Sequence, residues 1–320
     1  MRKSLLGASA LVGVALLATS AAQAASYITI APPPGATTYN AFSINDNNIV
    51  AGSYTDSGGI QHGYYGPPDG SNYKTFDVKN VTGTQPRFIF NDKSITGLAL
   101  ASGFTFGEEF YRSSGGNITI MKKKRLTLDG VAQGGNDAGV YVGDYVNKDG
   151  IRSGYKAVAG VYQSAVKLPI SVTSTDPRQI NNHNVVAGSY IDSSGIQHGF
   201  TLKGQNFKSF DYPDAVGVTA PEGISDAGVV SGLWTDSGGN RHGFLYDTGT
   251  GKFTQIGPND GSTFQEAWGI NNAGLVAGDT SNGYGWIYCP LKARKCPKGS
   301  AAVVVHPGHV QALKKPIYLP

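Results

Sequence analysis

Three histidines occupy matching places in this sequence and are its first candidates for chemistry. Each opens a triplet of histidine, glycine and an aromatic residue, at His62, His198 and His242. An imidazole can bind a metal or transfer a proton near neutral pH, but a metal site needs several ligands that converge on one point. Because the copies lie in different repeats, they do not converge. We therefore expect each imidazole to be structural and to bond a neighbouring turn.

Aspartates recur ahead of these triplets, each in a short glycine-rich turn, and calcium binding is the first function to test for them. Asp56, Asp192 and Asp236 each lie four residues beyond a repeated glycine. Calcium loops need several closely spaced oxygen ligands, whereas each of these turns supplies one carboxylate. We expect each aspartate to cap its own turn. In the C-terminal tail, His306 and His309 are likewise expected to lie in a turn, and no metal or cofactor is predicted.

A sequence motif that recurs six times, called here the repeat phrase, predicts the strands and turns that position these residues. It reads approximately Ile-Asn-Asn/Asp-x-Gly-x-Val-x-Gly, and its final glycines are Gly52, Gly97, Gly143, Gly188, Gly232 and Gly278, at steps of 45, 46, 45, 44 and 46 residues. A period in this range indicates an array whose units bury their apolar faces against each other. Within a unit, alternating apolar residues between turn signals predict four short antiparallel strands.

These units predict an all-β fold, a six-bladed β-propeller of four-stranded antiparallel blades over residues 25–288. Propellers arrange such blades radially and leave only short, protected edges. The sixth unit reaches Cys289 without an obvious fourth strand, and Tyr27 to Ile30 resembles the missing one. We expect this N-terminal strand to close the ring, which would remove two exposed sheet edges. An open β-solenoid is the alternative.

The places where the repeats differ are the better candidates for function, because residues that recur are explained by folding. Two positions before each Ile-Asn pair or its equivalent stand Phe42, Phe88, Gln133, Arg178, Glu222 and Trp268, and four before it stand Asp176 and Glu266 among others. In a propeller these positions ring one mouth of the central channel. Charge beside aromatic faces is expected of a pocket for a small polar ligand or a glycan.

We therefore predict a binding site at the channel mouth formed by Arg178, Glu222, Glu266, Trp268, Phe42 and Asp176. The alternative is that the aromatic residues pack between blades and the charged residues are merely solvated. No nucleophile elbow, zincin helix or phosphate-binding glycine loop is present, so no catalytic residues are assigned.

The repeat phrase, followed by Asp-Ser-Gly-Gly-x-x-His-Gly-Phe, resembles the bacterial extracellular HAF-repeat family. That family is named for a His-Ala-Phe triplet, whereas glycine takes the middle position here, as in His198-Gly199-Phe200. The third unit has Ser153 in place of the histidine, and the second and sixth units have no clear copy. The resemblance covers residues 27–288 and implies an exported, propeller-like repeat protein. It implies no catalytic residues.

The two ends of the chain are distinct from the repeats. Residues 1–24 have the basic start, apolar stretch and Ala22-Gln23-Ala24 cleavage signal of a secretory signal peptide. Residues 289–320 form a tail whose Cys289 and Cys296 are the two cysteines of the chain. In an oxidising compartment this pair is expected to form a local disulfide, with free thiols as the alternative.

Charge and hydropathy limit the partners and the location. Removal of Arg2 and Lys3 with the signal peptide lowers the formal net charge from +4 to +2, which is not the footprint of a nucleic-acid-binding protein. No segment of the mature chain is apolar for long enough to span a bilayer. We expect a periplasmic or extracellular protein.

The sequence as a whole predicts a non-enzymatic binding or interaction module of the cell envelope or secretome. Its partner would be a polar ligand, a glycan or an envelope protein. The alternative is a hydrolase or lyase that acts on glycans or lactones at the same channel mouth, because the fold alone does not choose between these functions.

Overall fold

The computed structural model describes residues 26–100, 107–121, 130–258, 265–281, 283–290, 296–297 and 301–303. The predicted signal peptide, at 1–24, and the predicted turn at His306 and His309 lie outside the described residues. The regular elements of the described part are all β-strands. Within it, no helix has the length and apolar character needed to cross a bilayer.

The strands follow the repeats closely. The N-terminal strand and those of the first two repeats are β1 (Ser26–Thr29), β2 (Thr38–Ile44), β3 (Val50–Thr55), β4 (Gln61–Gly66), β5 (Lys74–Phe76), β6 (Gly83–Ile89), β7 (Ile95–Leu100), β8 (Gly107–Arg112) and β9 (Ile118–Ile120). Those of the third and fourth repeats are β10 (Gly130–Gly135), β11 (Val140–Val146), β12 (Arg152–Val158), β13 (Val161–Val166), β14 (Ser174–Ile180), β15 (Val186–Ile191), β16 (Gln197–Lys203) and β17 (Asn206–Phe210). The remaining strands are β18 (Thr219–Ile224), β19 (Val229–Thr235), β20 (Arg241–Asp247), β21 (Lys252–Ile256), β22 (Gln265–Ile270), β23 (Val276–Thr280), β24 (Gly285–Cys289) and β25 (Ala301–Val303).

Hydrogen bonding groups these strands into antiparallel meanders in chain order. β10–β13, β14–β17 and β18–β21 each form a separate four-stranded sheet. β2–β5 and β6–β9 are two further meanders, which one parallel pairing of Gln61 with Gly83 joins into an eight-stranded sheet. The predicted all-β, propeller-like fold with four-stranded antiparallel blades is confirmed. The expected number of six blades depends on dividing the eight-stranded sheet at this single pairing.

The last sheet combines strands from both ends of the chain. β1 pairs with β24 antiparallel, with Tyr27 opposite Tyr288, and β25 pairs with the other edge of β1. The side chain of Tyr27 also accepts a hydrogen bond from the backbone N–H of Gly257 at 2.9 Å. Beside this sheet, Cys289 and Cys296 form the predicted disulfide.

The repeated asparagine explains why the phrase recurs. In the first repeat, the side-chain oxygen of Asn45 accepts hydrogen bonds from the backbone N–H groups of Asn47 and Ile49, both at 3.0 Å, and so caps its own turn. Its amide then donates to the backbone carbonyl of Phe90 in the next repeat at 2.9 Å. One buried side chain thus shapes a turn and joins two repeats, and it leaves none of its own polar atoms unpaired.

The repeated glycine faces an irregularity in the first strand. Opposite Gly52, the pairing of β2 with β3 shifts between Ala41 and Ser43, so that Phe42 is an extra residue. Such a β-bulge bends the strand and re-aims a side chain. A Cβ at Gly52 would collide with the backbone oxygen of Asn40. The corresponding glycines of the other five repeats meet a first-strand oxygen in the same way, so that glycine alone fits there.

Apolar clusters lie between successive repeats and hold them together. In one cluster, Ala187 and Phe210 of the fourth repeat pack with Val230 and Phe244 of the fifth. Both phenylalanines are buried, and Phe244 is completely so. Because each repeat covers the apolar face of its neighbour, the sheets position the first strand of every repeat around a shared centre.

Candidate functional site

Six bulged residues, one per repeat, point into a common space. The pairing shifts place Phe42, Arg87, Gln133, Arg178, Glu222 and Trp268 at the irregularities of the first strands. All six line one cavity together with neighbouring residues of the same strands. We call this the central cavity. A bulge is a common way to aim a side chain at a site, so the irregularity that requires the repeated glycine also positions these residues.

The second repeat departs from the sequence prediction by one residue. Phe88 was expected at the channel mouth in the place of Phe42, whereas Arg87 is the bulged residue and Phe88 lines the cavity from the following paired position. The cause is that Phe90, rather than Asn91, takes the place of Asn45, because its backbone N–H bonds the carbonyl of Ser94 across the turn as Asn45 bonds Ile49. Counting ten residues back from each repeated glycine, instead of two from Ile-Asn, identifies all six bulged residues.

Arg178 is the centre of an ion-pair network. Its guanidinium lies 2.9 Å from Asp176 on its own strand and 3.2 Å from Glu222 on the next first strand. Burial would lower the pKa of Arg178, but Asp176, Glu222 and Glu266 together raise it above its usual value. The guanidinium is therefore a permanent cation that links two repeats. Its Nε is buried and has no hydrogen-bond partner in the described part of the chain.

Glu222 faces the same cavity and is nearly enclosed. Its side chain is 5 % exposed, and burial raises its pKa to about 7, against the opposing effect of Arg178. A carboxyl group with such a pKa changes its protonation near neutral pH, unlike an exposed glutamate. Glu222 can therefore accept or donate a hydrogen bond within the cavity.

Two further acids lie one layer behind the cavity wall. Glu266 and Asp279 are cross-strand neighbours on β22 and β23. Glu266 accepts a hydrogen bond from Arg241 at 2.6 Å, and Asp279 accepts one from the side-chain amide of Asn40 at 2.5 Å. Burial, and for Glu266 also the charge of Asp279, raise the pKa values of both carboxyls. Neither carboxyl lines the central cavity.

The opposite wall of the central cavity is aromatic. Phe42 and Trp268 meet edge to face at 5.2 Å between ring centroids. The guanidinium of Arg87 lies over both rings, at 4.5 Å from Phe42 and 5.7 Å from Trp268. Cations at such distances are attracted by the ring faces. Arg87 is therefore held at the wall by the aromatic pair, with its charge close to the cavity.

The structure brings four of the six predicted binding residues together and separates two. Phe42, Arg178, Glu222 and Trp268 line the central cavity. Asp176 and Glu266 do not line it. They form ion pairs with Arg178 and Arg241, respectively. The side chains are also more buried than an open mouth implies, since that of Arg178 is only 20 % exposed. The space that they leave for the centres of water-sized atoms is about 20 Å³, which is room for about one water molecule.

A second cavity lies at the first turns of the repeats. It is surrounded by a belt of hydrogen-bonded side chains in which Asp and Asn alternate, which we call the Asx belt: Asp46, Asn91, Asp137, Asn182, Asp226 and Asn272. Asn182 illustrates the pattern, because its amide donates to Asp137 at 2.8 Å and to Asp226 at 2.9 Å. The amide of Asn272 donates to Asp46 at 3.0 Å, from the last repeat to the first. The carboxylates of the Asx belt thus accept hydrogen bonds from the neighbouring asparagine side chains.

The repeated histidines lie away from both cavities and have structural partners, as predicted. His198 donates to Asp211 at 2.9 Å and lies 3.4 Å from Asp192, while its ring stacks on Tyr190 at 5.0 Å. Asp192 also accepts the backbone N–H groups of Ser194 and Ile196, and so caps its turn. Burial lowers the pKa of His198, but the two carboxylates outweigh it and raise the value above normal.

The other two triplets follow the same plan. His62 has Asp77 at 3.0 Å, Asp56 at 3.3 Å and Tyr54 as its stacking ring. In the fifth repeat the ring is Trp234 and the turn acid is Asp236, at 2.9 Å from His242. Within the described residues, no group of three or more His, Cys, Asp or Glu side chains is arranged to hold a metal ion.

Comparisons with known proteins identify the fold but not a family. No protein-family model matches the sequence, and no curated protein matches it. A protein assigned as TolB from Agrobacterium tumefaciens is similar in structure, with a TM-score of 0.55 at 12% identity over 84% of this chain and 100% of that one. The Aleuria aurantia lectin in complex with Fucα1-6GlcNAc has a TM-score of 0.52 at 12% identity, over 86% of this chain and 98% of the lectin.

A third similar structure is TolB from Acinetobacter baumannii, with a TM-score of 0.51 at 11% identity over 83% of this chain and 63% of that one. Identities this low show a shared fold alone. The likeness therefore supports a propeller-like architecture, and the chemistry must be argued from the residues of this chain.

Proposed function

We propose that this chain is an exported, non-enzymatic binding module whose central cavity takes a small polar ligand or a polar group of a larger one, such as a glycan. One observation carries the proposal: six side chains of five residue types reach a single cavity from equivalent bulged positions. Residues needed only for folding recur between repeats, as the asparagines and glycines do. A set that varies between repeats is free to serve recognition.

The proposed architecture is a ring of six blades closed by β1. Support comes from the antiparallel pairing of β1 with β24 and from contacts between the last repeat and the first. Asn271 donates to the backbone carbonyl of Asn45 at 3.0 Å, just as Asn45 donates to Phe90. The single parallel pairing of Gln61 with Gly83 is then a contact between two blades rather than part of one.

Export and family membership are further parts of the proposal. The disulfide of Cys289 with Cys296 is typical of oxidising compartments, and residues 1–24 have the pattern of a signal peptide. Membership of the HAF-repeat family rests on the triplets at His62, His198 and His242 and their common bonding. The periplasm and the extracellular medium are both compatible with these features.

A polar ligand suits the wall of the central cavity. Arg178 and Glu222 offer charged groups and Gln133 an amide, while Phe42 and Trp268 offer apolar faces. This mixture of a few polar groups with aromatic rings is usual in small-ligand sites. The lectin of similar fold holds Fucα1-6GlcNAc, which is compatible with a glycan as the partner here. An envelope protein is the other partner class that we consider.

Hydrolysis or elimination at the same cavity is the second candidate function. The observation in its favour is Glu222, a cavity-lining carboxyl whose pKa is raised to about 7. Such a group can act as a general acid near neutral pH. The ion pair with Arg178, at 3.2 Å, also accounts for Glu222 structurally.

A glycan-array screen of the mature protein, run beside a panel of glycoside and lactone substrates, separates the two functions. The binding module predicts retention of a ligand without turnover, and loss of retention in Trp268→Ala. Turnover that disappears in Glu222→Gln would establish the enzyme instead. Ligand retention that is unchanged in Trp268→Ala, Arg87→Gln and Glu222→Gln alike would place recognition outside the central cavity and overturn the proposal.

A further inference from the structure

The central cavity has two cationic side chains on different repeats. Arg87 enters it from β6 and Arg178 from β14, with Gln133 of β10 between them. Glu222 is the only acid among the residues that line the cavity, and its pKa of about 7 leaves it partly protonated at neutral pH. The local charge of the wall is therefore positive, although acids surround it.

We propose that the central cavity binds the carboxylate group of a small organic acid between Arg87 and Arg178. This inference rests on the proposed binding function of the same cavity and specifies the class of its ligand. Guanidinium groups are the side chains best suited to planar anions, because they present several N–H donors in a fixed geometry.

The Nε–H donor of Arg178 is available for a ligand acceptor. Its terminal nitrogens face Asp176 at 2.9 Å and Glu222 at 3.2 Å, whereas its buried Nε has no partner in the described part of the chain. A buried N–H without an acceptor destabilises a protein. A ligand oxygen that accepts from Nε would remove this cost without breaking either ion pair.

The aromatic wall fixes Arg87 at the edge of a small cavity. Arg87 lies 4.5 Å above Phe42 and 5.7 Å from Trp268, and its guanidinium also donates to the side-chain oxygen of Gln85 at 3.2 Å. The cavity leaves about 20 Å³ for the centres of water-sized atoms, which is room for about one water molecule. Only the carboxylate end of the ligand therefore enters it, and the rest of a hydroxy acid or of a uronic acid residue lies outside.

Protonation of Glu222 favours this ligand. A bound carboxylate would repel ionised Glu222, so binding should strengthen as pH falls from 8 to 6, where the ligand itself stays ionised. The charged groups that face Glu222 from neighbouring strands are Arg178, Asp176, Arg87, Arg241 and Glu266. Three of these five are cations and oppose the protonation, which keeps the transition near neutral pH rather than higher.

The tryptophans provide a local readout. The chain has three, so an ¹H–¹⁵N spectrum contains three indole N–H signals. Trp268 lines the cavity, whereas Trp234 stacks on His242 and Trp286 donates its N–H to the backbone of Asp279 at 2.9 Å. Titration with sodium lactate or sodium glucuronate is expected to shift the Trp268 signal alone. Lactamide and glucose are the uncharged counterparts and should leave it in place.

A matched pair of variants tests the arginine. Arg87→Gln should weaken lactate or glucuronate binding at least about tenfold, the effect of losing a hydrogen bond to a charged group. Arg112→Gln is the control, because Arg112 lies over Tyr65 and Phe76 in the same manner but outside the cavity. The triple variant Asp176→Asn/Arg178→Gln/Glu222→Gln removes all three charges of the buried network together, so that it should fold and still lose the anion.

The outcomes separate this inference from the proposed function. If lactamide and glucose shift Trp268 as strongly as their acids, or Arg87→Gln binds the acids normally, the carboxylate site is overturned. Binding of neutral ligands that depends on Trp268 would leave the binding module intact. If neither acids nor glycans respond to any variant of the cavity, both proposals fail.

Discussion

The side-chain amide of Asn271 donates a hydrogen bond to the backbone carbonyl of Asn45 at 3.0 Å, between residues 226 positions apart in the chain. The oxygen of the same side chain accepts from the backbone N–H groups of Ala273 and Leu275, both at 3.0 Å. Asn271 is 4% exposed. One buried residue therefore caps a turn of the last repeat and anchors that repeat to the first.

Replacing this asparagine should weaken the whole fold. Asn271→Ala removes the cap and the donor from the last repeat to the carbonyl of Asn45, which keeps only the backbone N–H of Asn48 at 3.0 Å. The loss of three hydrogen bonds should lower the free energy of unfolding by about 2–3 kcal/mol. Urea denaturation followed by tryptophan fluorescence measures the change. Asn147→Ala is the control, because within the described residues the side chain of Asn147 bonds only its own turn, through Asp149 and Ile151. An equal loss in both variants would contradict the role of the inter-repeat bond.

The glycine opposite each bulge should not accept a side chain. In Gly188→Ala, the new Cβ would collide with the backbone oxygen of Asp176 and with the backbone of Pro177. We expect a loss of about 3 kcal/mol or more in the free energy of unfolding, typical of severe overpacking. Gly115→Ala is the matched control, because its Cβ would meet nothing closer than Ser113 Oγ at 4.0 Å. A Gly188→Ala protein as stable as the control would show that the bulge can relax.

The free energy of unfolding should decrease as pH rises from 4.5 to about 7. Burial raises the pKa of Glu222 from 4.5 to about 7, so between these values the folded state binds more protons than the unfolded state. The free energy of unfolding therefore decreases as pH rises across this window, by about 3 kcal/mol for this shift. Denaturation of wild type and Glu222→Gln at intervals from pH 4.5 to 8 measures the difference. The stability of the variant relative to wild type should increase steadily with pH, and a constant difference would refute the assigned shift.

His62 and His198 should titrate above the usual range of a histidine, because the pKa of each is raised. The pKa of His198 is raised by Asp211 and Asp192 despite the opposing effect of burial, so its stabilising contribution is complete below the normal pKa of 6.5 and is lost as pH rises through the higher folded value. Asp211→Asn removes the partner at 2.9 Å and should lower the pKa of His198. Imidazole NMR signals followed against pH give the values. His62, with its own partner Asp77, is the internal control and should not move.

The repeat phrase predicts much of the fold because its residues act locally. Asn45 caps a turn through residues two and four positions ahead, and such spacing is visible in any sequence. The position of Arg87 was missed because counting back from Phe90 placed the residues of its strand one position too late. The residue that marks the bulge is in the partner strand. It is Gly97, where an added Cβ would collide with the backbone oxygen of Gln85.

Burial of the site could not be predicted from spacing alone. The sequence places Arg178 and Glu222 at a channel mouth, but how far six first strands approach each other depends on the packing of all the repeats. Asp176 was expected at the channel mouth because it stands four residues before the Ile-Asn pair of its repeat. It binds Arg178 instead, at 2.9 Å, since a buried guanidinium needs opposing charge.

The alternation of the Asx belt has a consequence for how such a chain can change in length. Each amide lies between two carboxylates, as Asn91 donates to Asp46 at 3.1 Å and to Asp137 at 2.7 Å. Insertion or deletion of one repeat would place two acids, or two amides, next to each other and break the pairing. Only an even number of repeats satisfies the belt. Duplication or loss of repeats during evolution should therefore proceed two repeats at a time, because the Asx belt tolerates only an even number.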